Sequence, residues 1–211
     1  MKMEKPGFFH SECVNKLISL PQEVIEAEFL RTFSGSSFLS DHFFLFYFDE
    51  ATASAKIIHD MKYRGRYRLT REFGKILGEK ILGSKPLWNA DMIIPVPLHK
   101  LKKSERGYNQ AERISKGMAD VMRIPGNSKV MKRIKYTATQ TNLSMRRRKQ
   151  NIKGAFELRD PGFVKGKKII LVDDVLTTGA TIVECAKLLY TAGAETVFAA
   201  SLAKTLAKRD L

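Results

Sequence analysis

The chain has 211 residues, 37 Lys and Arg against 22 Asp and Glu, and a formal net charge of +15. Its hydrophobic content of 44% is enough for a packed core, which excludes a disordered chain. Two cysteines, Cys13 and Cys185, are too few for a disulfide scaffold or a four-cysteine zinc cluster. The longest fully apolar run, 43–48, is far shorter than a membrane helix, and the N-terminal residues lack a signal-peptide pattern. We therefore expect a soluble cytoplasmic protein without membrane insertion.

The positive charge is concentrated beyond residue 50. Residues 1–50 contain four Lys or Arg and eight Asp or Glu, whereas 128–153 contain nine basic side chains and no acidic one. Such a surface attracts polyanions, either nucleic acid or a small ligand with several phosphates. Charge alone does not separate these two, and solubility is the plainer explanation for any single lysine.

In chain order, the pattern predicts two parts, an N-terminal appendage or hood over 1–50 and a main domain over 51–211. The appendage is acidic and aromatic-rich, with a short buried strand at 43–48. The main domain opens with helical spacing over 52–82, broken near Gly65. The pattern then alternates as strand 92–96, a basic loop, helix 108–121, strand 130–134, a polar loop over 135–150 and a weak strand at 155–158.

The clearest unit lies near the C-terminus. An apolar run over 168–174 is typical of a parallel strand that is covered on both faces. A turn follows at 177–179, then a helix from Ala180 to about Gly193 and a strand at 196–202. This strand–helix–strand order predicts an α/β fold with a doubly wound, mostly parallel sheet.

Asp173 and Asp174 end the first strand of this unit, where open α/β sheets bind ligands. The helix start that follows offers unpaired amides and the positive end of a dipole, which together hold a phosphate. Gly179 permits a close turn, and hydroxyls of Thr177, Thr178 and Thr181 add donors. The paired carboxylates suit sugar hydroxyls or a hydrated divalent cation. The alternative is a polar strand end with one aspartate capping the helix.

Three segments resemble a known family. The string at 169–181, IILVDDVLTTGAT, resembles the signature of the type I phosphoribosyltransferases. The segments at 93–112 (IIPVPLHKLKKSERGYNQAE) and 133–156 (RIKYTATQTNLSMRRRKQNIKGAF) are similar to the pyrophosphate loop and the mobile loop of its ComF branch. A Lys-Tyr-x-Gly helix end at 62–65 also fits that branch, so the likeness covers about residues 43–203.

The resemblance implies a site for phosphoribosyl pyrophosphate (PRPP) and Mg²⁺, with the metal held mainly through PRPP rather than by protein ligands alone. Asp173 and Asp174 would bind the ribose. The 5-phosphate would lie against Leu176, Thr177, Thr178, Gly179, Ala180 and Thr181. The pyrophosphate loop would comprise Leu98, His99, Lys100, Arg106, Gly107, Tyr108 and Asn109, and the mobile lid would include Lys135, Thr137, Gln140 and Arg148.

The resemblance also implies an activity, the transfer of a phosphoribosyl group from PRPP to an unidentified nitrogenous acceptor with release of pyrophosphate. Arg106 is the expected pyrophosphate contact, helped by Lys100 or Lys102, and the lid would exclude water. ComF proteins are linked to DNA uptake during natural transformation. Two positions depart from the branch. Many ComF proteins begin with paired cysteines that bind zinc, whereas this chain has only Cys13 there, so we expect no zinc. Lys135 stands where the branch often has arginine, which keeps the charge but loses the bidentate fork.

Several alternatives stay open. The protein is either an enzyme or a non-catalytic PRPP sensor or single-stranded-DNA-binding component of the uptake machinery, working with a helicase-like partner. The basic segment at 128–153 is either a lid or a DNA contact, and 146–148 also fit a solvated helix face. The plainer role for His99 is that of a surface histidine, and for Tyr108 it is packing at the start of a helix. A homodimer is a further alternative.

Overall fold

The computed structural model describes residues 20–63, 66–136 and 151–206. Its helices and strands are mixed along the chain. They are α1 (Gln22–Phe33), β1 (Asp41–Phe48), α2 (Ala53–Tyr63), α3 (Tyr67–Ser84), β2 (Met92–Pro95), α4 (Lys100–Arg106), α5 (Gln110–Met122), β3 (Met131–Arg133), β4 (Phe156–Leu158), β5 (Lys168–Leu176), α6 (Ala180–Thr191) and β6 (Thr196–Thr205), with a 3₁₀ turn at Pro161–Val164.

The central sheet has four strands in the order β1–β6–β5–β2, and every pairing is parallel. The continuous apolar runs in β5 and β6 are almost completely buried, as expected for parallel strands with helices on both faces. The predicted α/β class and mostly parallel sheet are therefore confirmed. Its strand order places β5 and β6 at the centre.

Two apolar clusters cover the two faces of the sheet. Alternation along β5 directs Ile170 and Val172 into the cluster with α2, α3 and α5, and Ile169 and Leu171 into the cluster with α6. The hairpin of β3 and β4 belongs to the α6 side. The molecule thus has three layers, and the carboxyl ends of the parallel strands meet at one edge of the middle layer.

The strand at 41–48 does not belong to a separate appendage. β1 is an edge strand of the central sheet, in parallel register with β6 from Asp41 opposite Phe198 to Phe48 opposite Thr205. Phe43 to Phe46 are fully or almost fully buried, which explains the aromatic run. Helix α1 also joins the main core, since Ile25 packs in one apolar cluster and Phe33 in the other. The predicted boundary at residue 50 therefore does not separate these elements from the main domain.

The segments predicted as strands near 130–134 and 155–158 form the short antiparallel pair β3 and β4, outside the central sheet. The predicted basic loop after β2 contains a short helix, α4, and the following helix begins at Gln110 rather than at Tyr108. Within the described ranges, no helix has the length and apolar character needed to cross a membrane.

Candidate active site

The junction of β5 and α6, residues 176–181, forms the centre of the candidate site. β5 ends at Leu176, and α6 begins at Ala180 after Gly179, whose φ of 73° is left-handed. Gly179 has no side chain to cap α6, and the Ala180 amide donates to Oγ1 of Thr178 at 3.5 Å. The helix start opens into a cleft lined by residues of β5 and α6. Residues between Asp173 and Ile182 line this cleft. This geometry suits an anion at the helix start.

Helix α1 determines how closely the chain packs at this junction. A Cβ atom on Gly179 would lie 2.7 Å from Cε1 of Phe33 and 3.1 Å from Cγ2 of Thr32. Only glycine satisfies both the positive φ and this contact without strain. The C-terminal end of α1 therefore forms one wall behind the β5–α6 junction.

The two adjacent aspartates each have a cation nearby. The carboxylate of Asp174 lies 3.4 Å from Nζ of Lys62, while the charge of Arg133 acts on Asp173. Burial, and then repulsion by Asp174, raise the pKa of Asp173 to about 7. The amides of Asp174 and Val175 donate to the Asp173 and Asp174 carboxylates at 2.9 and 2.7 Å. The pair is thus held in place by the backbone.

Four basic side chains converge beside the aspartates: Lys62, Lys102, Arg106 and Arg133, here called the cation cluster. Burial lowers the pKa of Lys102, and the neighbouring charges of Arg133, Arg106 and Lys62 lower it further. The Arg133 guanidinium lies 5.4 Å from the centroid of the Phe156 ring. Because like charges this close disfavour one another, a polyanion would be stabilised here.

The predicted pyrophosphate loop is only partly directed to this site. His99 caps α4 by accepting from the Leu101 amide at 3.3 Å, and Lys100 is exposed. Arg106 lies in the cation cluster, with Nη1 3.4 Å from Oε1 of Gln110. Leu98 is half-buried, and Gly107 ends α4 in a left-handed conformation.

Tyr108 and Asn109, also assigned to that loop, are buried and bonded internally. The Tyr108 hydroxyl donates to the Met61 carbonyl and lies 3.0 Å from Oγ1 of Thr70. Asn109 donates to the Val96 carbonyl at 2.9 Å and caps α5. These side chains fix the shape of the loop, as the packing alternative for Tyr108 anticipated.

Of the predicted lid, only its two ends lie within the described residues. Lys135 is exposed, and its Nζ donates to the Lys153 carbonyl at 3.1 Å. Tyr136 lies edge-on to His99, with ring centroids 5.3 Å apart, and 5.9 Å from Nζ of Lys102. Thr137, Gln140 and Arg148 fall outside the described residues. The described start of this segment therefore contacts the pyrophosphate loop.

Lys62 and Arg133 were not among the predicted site residues. Both lie in segments that resemble the ComF branch, but no spacing in the sequence links them to Asp173 or Asp174. They come from α2 and β3, so only the folded arrangement shows that both act on the aspartate pair.

The donor set fits a magnesium ion that is held partly by a ligand. Asp173 and Asp174 supply carboxylate oxygens, but no group of three His, Cys, Asp or Glu side chains converges within the described ranges. Mg²⁺ often binds through one or two carboxylates together with substrate phosphates. Asp173 and Asp174 are therefore the residues that could hold Mg²⁺ together with the phosphates of a ligand.

The sequence of this chain is similar to those of known proteins. The family model for the phosphoribosyl transferase domain matches residues 106–211. DNA utilization protein YhgH of Shigella flexneri is 35% identical over 161 residues, which cover 75% of this chain and 70% of that protein. Competence protein F of Haemophilus influenzae is 35% identical over 152 residues, covering 70% and 66%. YhgH of Salmonella typhimurium is 36% identical, and the match spans 66% of its length.

Among solved structures, the glutamine PRPP amidotransferase from B. subtilis, complexed with ADP and GMP, aligns with 68% of this chain and 30% of its own. The sequence identity is 21% and the TM-score 0.47. The purine phosphoribosyltransferase from Pyrococcus horikoshii aligns with 64% of this chain and 73% of its own, at 24% identity and a TM-score of 0.39.

Proposed function

Because this chain belongs to the type I phosphoribosyltransferase family, as a member of its ComF branch, we propose that it binds PRPP and transfers its phosphoribosyl group to a nitrogenous acceptor. The observation that supports this proposal is the β5–α6 junction, where the start of α6 opens into a cleft next to two aspartates. A ribose 5-phosphate unit has a phosphate at one end and hydroxyl groups at the other. An anion site beside two carboxylates that accept hydrogen bonds from those hydroxyl groups matches both ends.

In this proposal, the amides and hydroxyls of residues 177–181 bind the 5-phosphate. Asp173 and Asp174 accept hydrogen bonds from the two ribose hydroxyls when their carboxylates are ionised. The β5 backbone holds both side chains, so little reorganisation accompanies binding. The anomeric carbon is thereby directed toward the cation cluster.

The bond between the anomeric carbon and pyrophosphate breaks as the bond to the acceptor nitrogen forms, and the acceptor releases a proton. Negative charge accumulates on the leaving pyrophosphate, where Arg106, Lys102, Lys62 and Arg133 stabilise it. A bound Mg²⁺ would neutralise part of the same charge.

Calorimetric titration with PRPP and Mg²⁺ tests this assignment. Asp173→Asn/Asp174→Asn should weaken PRPP binding at least about tenfold, because two charge-assisted acceptors are lost. Removing negative charge would otherwise favour an anionic ligand, so a loss cannot be a general electrostatic effect. Glu157→Gln/Glu195→Gln removes two exposed carboxylates away from the site and serves as the control. Equal affinity of the aspartate variant and the wild type would refute the pocket.

A second candidate function is binding of single-stranded DNA, as a non-catalytic component that works with a helicase-like partner. Its support is the ring of Tyr136, 47% exposed next to Lys102, and the names of the relatives, which refer to DNA utilization and competence. An exposed aromatic ring among cations is a platform for stacked bases.

For this candidate, the affinity for oligothymidylate should fall steeply as salt rises. Tyr136→Ala should weaken binding about tenfold through lost stacking, and an alanine triple variant at 146–148 should reduce the salt slope. Glu157→Gln, on the neighbouring hairpin, is the control. Undetectable binding at low salt would exclude this function.

A further inference from the structure

Lys204 lies behind the β5–α6 junction and is only 4% exposed. It is the penultimate residue of β6 and pairs in register with Leu176. Its Nζ donates to the Thr205 carbonyl at 2.9 Å and to the Thr177 carbonyl at 3.4 Å. The ammonium group is therefore hydrogen-bonded to Thr177, the first residue after β5, in the segment that leads into the anion site.

The counter-charge of Lys204 comes from the N-terminal helix. Oε2 of Glu28, a residue 7% exposed, lies 3.6 Å from Nζ of Lys204. Oε1 of Glu28 accepts from Arg31 at 2.6 Å and from the Tyr47 hydroxyl at 3.1 Å. Buried charges are costly unless they are paired, so this pairing makes a buried lysine at this position tolerable.

Stability alone does not require a charged pair here, because buried ion pairs are often replaced by apolar residues at little cost. The first amides of α6 give the junction a partial positive charge, and the buried ammonium group behind the junction adds to it. Helix α1 contacts the junction a second time, through Phe33 against Gly179. Lys204 and α1 thus fix both the position and the charge of the same short segment.

We propose that Lys204 is a positioning residue for the 5-phosphate, held by Glu28 of α1. It fixes the Thr177 carbonyl and adds positive charge behind the phosphate, while Glu28 balances that charge in the ligand-free protein. This inference rests on the proposed function. It assigns a role in ligand binding to an N-terminal helix outside the segment that matches the family model.

The two halves of PRPP allow a selective test. Ribose 5-phosphate probes the β5–α6 junction, and inorganic pyrophosphate with Mg²⁺ probes the cation cluster. Dissociation constants for both are measured on the full chain, below the melting temperature of every variant. The variants are Glu28→Gln, which keeps the lysine, and Glu28→Gln/Lys204→Met, which removes both charges of the buried pair. Asp41→Asn/Lys85→Met alters a half-buried ion pair, separated by 2.9 Å at the opposite edge of the sheet, as the control.

The double variant should bind ribose 5-phosphate about tenfold more weakly, with pyrophosphate binding changed less than about twofold. Glu28→Gln should bind ribose 5-phosphate at least as tightly as the wild type does, although both variants lower the melting temperature. Lys204→Arg in the wild-type background should retain most of the affinity. A role in folding alone would not distinguish the two ligands.

Wild-type affinity for ribose 5-phosphate in the double variant would overturn this inference, and so would equal weakening of both ligands. Either outcome leaves the proposed function intact, since the wild type still binds. If the wild type binds neither ribose 5-phosphate nor PRPP, the proposed function itself fails and the role of Lys204 fails with it.

Discussion

At the scale of single residues, the aspartate pair shows how strand geometry assigns two different environments to identical side chains. Successive residues of a strand point to opposite faces. Asp173 lies on the side of Cys185 and Arg133, and Asp174 lies near Lys62. Lys62 therefore acts on both carboxylates, and Arg133 also acts on Asp173. A ligand that binds both carboxylates must bridge the strand end.

The raised pKa of Asp173 predicts a pH-dependent stability. An aspartate in the unfolded chain has a pKa of about 3.9, whereas burial raises that of Asp173 to about 7 in the folded protein. The folded state therefore holds a proton that the unfolded state releases, and stability falls as pH rises from about 4 to about 7. Asp173→Asn lacks this penalty.

The difference in melting temperature, Asp173→Asn minus wild type, should be larger at pH 8 than at pH 5, as measured by calorimetry. Glu195→Gln, exposed at the opposite edge of the sheet, is the control. A difference that is constant, or that shrinks toward pH 8, would show that Asp173 is not held in a proton-retaining environment.

At this scale the sequence predicts the aspartates and the junction as one site because their chemistry lies within one short string. Lys62, Arg133 and Lys204 were missed as site residues because their partners are distant in the chain. When a basic side chain and its carboxylate partner come from different elements, no fixed spacing in the sequence reveals the pair. Tyr108 and Asn109 lie in the expected segment, but burial directs their side chains inward.

At the scale of elements, helices α3 and α5 cross in close contact through two glycines. A Cβ atom on Gly74 would collide with the Ile114 carbonyl, and one on Gly117 with the Arg71 carbonyl. The backbones therefore approach more closely than side chains would allow. Because α5 packs on β2 and β5, this crossing also supports the strand ends at the site.

Gly74→Ala should destabilise the protein by about 2 kcal/mol, since the added methyl group meets fixed backbone. Gly83→Ala, in the same helix with open space around it, should stabilise the protein by about 0.5 kcal/mol through helix propensity. Urea unfolding of both variants measures the two values. Equal effects of the two substitutions would show that α3 and α5 are not in close contact.

The unit of β5, α6 and β6 could be predicted at nearly its observed bounds because its signals are local: an apolar run, a glycine and a helical period. The placement of β1 could not. The sequence indicates a strand at 43–48, but its pairing with β6 joins distant parts of the chain. No local pattern distinguishes an edge strand of the main sheet from a strand of an appendage.

At the scale of the whole molecule, the three layers bring charges from separate elements to one edge of the sheet. The cation cluster derives from α2, α4 and β3, whereas the aspartates and Lys204 come from the two central strands. The formal charge of +15 is therefore not only a general surface property. Part of it is concentrated beside the carboxylates, as expected for a ligand with phosphates at both ends.

The central claim is that the β5–α6 junction binds a phosphate next to a sugar. The most direct test follows backbone amide chemical shifts during titration with ribose 5-phosphate. We expect the largest, saturable shifts at residues 177–182, with smaller shifts at Asp173 and Asp174. Binding that leaves the amides of 177–182 unmoved, while other amides shift, would contradict this account.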